Sequence, residues 1–173
     1  MLTLGKIDDI ERRLTGVRTR RVWDYWRRQA GDDKAPTWDR FKLMDIYQDT
    51  PIILVLDTLD GPGPSNYSYR FVGTTIVQYR WRLEVSDHTG LTYFEAEHQY
   101  NFDEIKGAYD RCRGNGLPIL MQRNFDAHDA SGTHERLILP IKTPSSAAVD
   151  KLVVVVERLK EIRKATPADT PLF

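Results

Sequence analysis

Residues 67–81 read YSYRFVGTTIVQYRW, a stretch that opens with the alternation of a strand and closes with the spacing of a helix. Tyr67, Tyr69 and Phe71 recur at every second position, the period of a half-buried strand. Gly73 then stops the strand, and Ile76, Val77, Tyr79 and Trp81 follow at a different spacing. Thr74 or Thr75 stands where a side-chain oxygen would cap the first turn of that helix. A strand passed directly to a helix predicts a domain that mixes sheet and helix.

The flanking segments extend this reading. Upstream, PIILVLD (51–57) is a short β-branched run, and GPGPSN (61–66) is turn chemistry, so the spacing predicts a hairpin with 67–72. Downstream, NFDEIKGAYDRCRGNG (101–116) places Phe102, Ile105, Tyr109 and Cys112 on one helical face, with Gly116 offering a left-handed stop. Three further strands are predicted over 118–126, 134–142 and 150–159, joined by short polar links that suit an antiparallel meander. The fold class expected is α+β: one five-stranded antiparallel sheet with helices inserted between strands two and three. LVVVV (152–156) does not alternate, which marks its strand as central and covered on both faces.

RTRRVWDYWRRQA (18–30) reads as an amphipathic helix whose apolar stripe is Val22, Trp23, Trp26 and Ala30. That stripe is the candidate cover for the second sheet face, supplied within the chain or by a second copy. The expected organisation is an N-terminal extension over 1–17, a domain over 18–159 and a tail over 160–173, with ERLKEIRKA (157–165) reading either as a helical extension from the last strand or as a frayed, solvated end.

The order of short motifs resembles the PAS fold. More narrowly it resembles the bacterial PAS-like group in which a YW helix precedes a YR-x-x-GT strand-to-helix junction and a later TG loop. The matching residues are Tyr25-Trp26, Tyr69-Arg70, Gly73-Thr74 and Thr89-Gly90-Leu91. The chain departs from that pattern just before the TG loop, where YRWRLEVSDHTG replaces an expected lone glycine. The resemblance implies a stand-alone sensory or regulatory module in signal transduction. Its output would come from another chain, because only KEIRKATPADTPLF follows the last predicted strand.

Composition narrows the partners. The chain has 173 residues, 25 basic and 25 acidic side chains, and 40% hydrophobic content, so no net field draws it to nucleic acid or membrane. Arginines 12, 13, 18, 20, 21, 27 and 28 cluster near the N-terminus but interleave with Asp8, Asp9, Glu11 and Asp24, the pattern of a solvated helix face. A single cysteine, no signal-peptide pattern and no apolar run of ~20 residues predict a cytoplasmic protein.

Asp126, His128, Asp129 and His134 surround one turn, but their loop chemistry is ordinary and predicts no metal site. His88 and His98 lack flanking residues that would mark a haem ligand, and the segment around Cys112 shows neither a base partner nor a flavin-photosensor motif. No haem, flavin or metal is expected, and no enzyme activity. Tyr69, Phe71, Ile76, Tyr79 and Tyr93 are the candidate lining of a pocket for a small organic ligand. Val22, Trp23 and Trp26 are the candidate face for a homodimer or protein partner. The alternatives are a ligand-free interaction scaffold and, further off, a small-molecule enzyme on a cone-shaped α+β fold using Tyr79 with His88 or Asp87.

Overall fold

The computed structural model describes residues 2–4, 6–60, 66–80, 84–96, 102–126 and 130–163. The chain is α+β, with one antiparallel sheet and helices on both faces. In chain order the elements are β1 (Leu2–Leu4), α1 (Ile7–Arg13), α2 (Val17–Ala30), 3-10 turns at Leu43–Ile46 and Thr50–Ile52, and β2 (Ile53–Leu59). Then come β3 (Asn66–Val72), α3 (Thr74–Tyr79), α4 (Phe102–Asn115), β4 (Ile119–Asp126), β5 (Ala130–Ile141) and β6 (Lys151–Arg163). The sheet order is β1-β4-β5-β6-β2-β3, and every neighbouring pair is antiparallel. The five expected strands are all present; β1 adds a short sixth at the edge of β4.

The apolar run 152–156 is central as expected: β6 lies between β5 and β2, and these five residues are buried. Two cores flank it. On one face Leu54, Leu56, Ile138, Leu152 and Val154 meet the Ile105, Ala108, Tyr109 and Cys112 stripe of α4. On the other, Ile53, Val55, Leu137, Leu139, Val153 and Val155 meet Ile10 of α1 and Val22, Trp23 and Trp26 of α2. Trp23 and Trp26 stack with ring centroids 5.6 Å apart, and Trp26 Nε1–H donates to the Pro140 carbonyl at 3.0 Å. The cover for the second face therefore comes from within the chain. As Val22, Trp23 and Trp26 have no exposed surface, they do not form the partner face expected of them.

Several local expectations are corrected. Neither threonine caps α3; its N-cap is Gly73, with no side-chain cap bond. Gly73 is required by close approach, since a Cβ there would collide with the carbonyl oxygens of Thr50 and Pro51. ERLKEIR, expected as a helical extension or a frayed end, continues β6 as far as Arg163 because β5 pairs with it along that length. The basic N-terminal arginines are partly structural: Arg18 Nε and Arg21 Nη2 hold the buried Asp49 at 3.1 and 2.5 Å, and Arg20 donates to the carbonyls of Glu11 and Leu14. Gly116 has φ of 64°, the left-handed stop expected after α4. Trp81, His98, His128, the turn at 61–65 and residues 164–173 lie outside the described residues.

Candidate functional site

The sequence gives Tyr69, Phe71, Ile76, Tyr79 and Tyr93 as one lining, and the sheet separates them. Leu56 pairs with Tyr69 and Val55 with Phe71, so Arg70 is an extra residue, a β-bulge that breaks the alternation. Tyr67 and Tyr69 therefore face α4, whereas Phe71 turns to the opposite core. Tyr69, Ile76 and Tyr93 remain together in the α4-side core. Tyr79 is half-buried at the end of α3, where β6 runs past the start of β2; there the Arg158 guanidinium lies 3.9 Å from its ring centroid.

Around the residues that stay together is a nest of aromatic rings. The segment after the TG loop runs alongside the free edge of β3: Tyr69 N–H donates to the Leu91 carbonyl at 2.9 Å and Tyr93 N–H to the Tyr67 carbonyl at 2.7 Å. This brings Tyr93 against Tyr69 (6.2 Å, stacked), Tyr109 (5.6 Å, edge-on) and Phe102 (4.7 Å). Tyr67 meets Tyr109 at 5.4 Å. Polar ends are tied: Tyr67 Oη–H donates to Asp110 at 2.6 Å and Tyr93 Oη–H to the Phe102 carbonyl at 3.0 Å. Burial pushes the phenols of Tyr69 and Tyr93 well above their ordinary value, which keeps both neutral. His88 is fully buried, edge-on to Tyr69 at 5.5 Å, and its Nδ1 accepts from Arg80 Nη1 at 2.8 Å. Arg80 also sits 5.5 Å over the Tyr69 ring.

Beside this nest, strand register assembles a polar row that the sequence reading missed. Arg123 of β4 pairs with His134 of β5, and His134 with Arg158 of β6. Two residues further along β5, Arg136 stands between Met121 and Val156 and donates from Nη1 to Tyr109 Oη at 3.5 Å. Burial first, and then the charges of Arg136, Arg123 and Arg158, push the His134 imidazole down to about 3, so it is neutral at physiological pH. The ring stacks on Phe125 at 6.0 Å, and Arg158 lies 4.6 Å from the same Phe125 ring. Of the metal candidates, His134 sits inside this row and Asp126 is exposed, while His128 and Asp129 lie outside the described residues; among the described residues no group of three or more His, Cys, Asp or Glu side chains is placed to hold a cation. Cys112 is buried, its thiol pushed far up by desolvation, and its nearest polar partner is the Ile138 carbonyl at 3.7 Å.

An open cleft of about 690 Å³ lined by Asp9, Arg12, Arg13, Thr15 and Gln122 contains none of the expected pocket residues. No helix among the described residues is long and apolar enough to cross a membrane. No protein-family profile, curated protein or solved structure matches this chain.

Proposed function

We propose that this protein is a PAS-like sensory or regulatory module of the bacterial cytoplasm. It acts in signal transduction by contact with a partner protein that supplies the output, and it takes a small organic ligand among the aromatic side chains of the α4 face. The observation that carries the reading is the layout: one antiparallel sheet in which β3 passes through Gly73 into α3, with β6 central between β5 and β2. That is the arrangement on which the resemblance rests. Regulation rather than catalysis is supported by the chemistry of the site, where burial holds the Tyr69 and Tyr93 phenols neutral and the Cys112 thiol far above its ordinary value.

With Trp23 and Trp26 committed to the core, partner contact falls on other surfaces, and the exposed Met44 and Tyr47 beside α2 are the apolar side chains offered there. A second reading, a ligand-free interaction scaffold, is favoured by one specific feature. Tyr67, Tyr69, Tyr93 and Tyr109 pack ring to ring, as a solid core does. Gentle purification from the native cell, followed by mass spectrometry of co-purifying proteins and small molecules, separates the two. A bound organic molecule together with a stoichiometric protein partner supports the sensor, a partner alone supports the scaffold, and recovery of the bare chain overturns both.

A further inference from the structure

Gly114-Asn115-Gly116 closes α4 and joins two residues that can react with each other. The side-chain amide of an asparagine lies within ring-closing reach of the next backbone nitrogen, and a glycine there has no Cβ to hinder the approach. In the folded chain that nitrogen is occupied, because Gly116 N–H donates to the Cys112 carbonyl at 3.0 Å. The reaction therefore waits on the opening of one helical turn.

That opening costs little here. The buried stripe of α4 ends at Cys112; beyond it Arg113 is half-buried and paired with Asp60, and Gly114 and Asn115 are exposed. A Cβ added at Gly114 would meet nothing within 4 Å, so the last turn is held by its helical hydrogen bonds more than by packing. Helix ends of this kind fray without disturbing the core. The other asparagines among the described residues stand differently. Asn66 and Asn124 lie in strands, each followed by a bulky aromatic residue, and their side-chain oxygens accept from Tyr67 N–H at 2.8 Å and Thr133 Oγ1–H at 2.9 Å.

We infer that Asn115 is a site of self-modification, deamidated through its own backbone whenever the last turn of α4 opens. The Gly116 nitrogen attacks the side-chain carbonyl carbon of Asn115. A nitrogen–carbon bond forms, and the nitrogen's proton leaves with the amide group as ammonia, which closes a five-membered imide. Water then adds to either ring carbonyl and gives aspartate or isoaspartate. The net change is asparagine plus water to acid plus ammonia, with no oxidant, cofactor or partner required. Either product sets a carboxylate at the C-terminus of α4, the negative end of the helix dipole. The isoaspartyl form also lengthens the backbone by one carbon, which shifts Gly116 N–H away from the Cys112 carbonyl.

The test is incubation of the full chain in mildly alkaline buffer, folded and in urea, with mass spectrometry of the tryptic peptide 114–123. Fragmentation places the change, because Gln122 shares that peptide. Conversion at Asn115 in the folded chain is expected within about a hundredfold of the rate in urea, whereas opening by global unfolding alone would slow it roughly a thousandfold or more. Asn66 and Asn124 stay amides over the same period. Gly114→Ala strengthens the last turn without touching the reacting pair, so it should slow conversion in the folded chain about fivefold and leave the rate in urea nearly unchanged. The comparison of Asn115 with Asn124 on the wild-type chain needs no variant. Folded protection of a thousandfold or more, equal conversion at Asn124, or an unaltered folded rate in Gly114→Ala each overturns the inference.

Discussion

Glu135 of β5 and Glu157 of β6 stand directly opposite each other across the ladder, and both carboxylates point at the first turn of α2. Like charges in that position repel each other. Here they are absorbed by backbone N–H groups that the helix leaves without internal partners: Glu135 accepts from Thr15 and Gly16 at 3.1 Å each, and Glu157 from Thr19 at 2.8 Å. Gly16 is what lets the helix end settle so close, because a Cβ there would collide with the Glu157 carboxylate and lie 2.9 Å from that of Glu135.

Removing either acid should therefore loosen α2 from the sheet. Glu135→Ala, which strands two backbone donors and Gln122, is expected to cost about 2–3 kcal/mol in urea unfolding. Gly16→Ala should cost a comparable amount, and combining it with Glu157→Ala should cost clearly less than the sum, since the second change removes the obstacle created by the first. Strict additivity in that double-mutant cycle would reject the packing argument.

The strand-to-helix junction makes a second prediction. Gly73 has φ of −65°, an ordinary value, so its role is the approach of the Thr50 and Pro51 carbonyls and not backbone freedom. Gly73→Ala is expected to destabilise the fold by about 1–3 kcal/mol, as overpacking does. Gly31, at the solvent-facing end of α2, has nothing within 4 Å of an added Cβ but has φ of 58°. With ψ of −123° it lies outside the left-handed helical region that Asn tolerates, so Gly31→Asn should also cost about 1–3 kcal/mol, by backbone strain and not by collision. Thermal melts of the two variants check both losses, and an unchanged melting temperature in either rejects its explanation.

Much of this architecture is legible in the sequence, and the particular failures have a common cause. Period-two runs and the α2 and α4 stripes depend only on near neighbours, so 53–59, 66–72, 102–115 and 17–30 are readable where they stand. What escapes is decided by pairing between distant segments. The bulge at Arg70 turns Phe71 away from Tyr69, and nothing in SYRFV signals it. The charged 157–163 segment resembles a helix until β5 is known to run beside it. The Arg123–His134–Arg158 row is scattered over three strands and is brought together only through register. Tyr109, by contrast, was visible on the α4 stripe; only its ring contacts were not.

His134 gives a pH prediction with a definite sign. Its folded-state value is depressed to about 3, below the ordinary 6.5, so protons bind the unfolded chain more readily between these limits. The contribution of His134 is thus fully present above about pH 6.5 and lost as pH falls toward 3. Burial sets it first, and the charges of Arg136 on β5, Arg123 on β4 and Arg158 on β6 add to it; Glu104 pairs with Arg123 and Glu161 with Arg158. His134→Phe keeps a ring against Phe125 and removes the titration. The variant should lose less stability than the wild type between pH 7 and pH 4.5, and parallel losses in the two proteins would show that His134 is not the titrating group.

Cys112 provides a probe of the whole α4-side core. Its side chain is fully buried among Ile105, Tyr109 and Ile138, and desolvation raises the thiol so far that almost no thiolate exists near neutral pH. A thiol in that state reacts only when the helix lifts from the sheet. Labelling with a disulfide reagent at pH 8, in a Trp38→Phe/Trp81→Phe background that leaves only Trp23 and Trp26 to report on the opposite face, should therefore be slow, should rise with urea in step with the change in their fluorescence, and should reach the rate of a free thiol at full unfolding. Rapid labelling in native buffer, with fluorescence unchanged, would mean that α4 opens independently of the α2 face, and the two cores would then have to be treated as separate folding units.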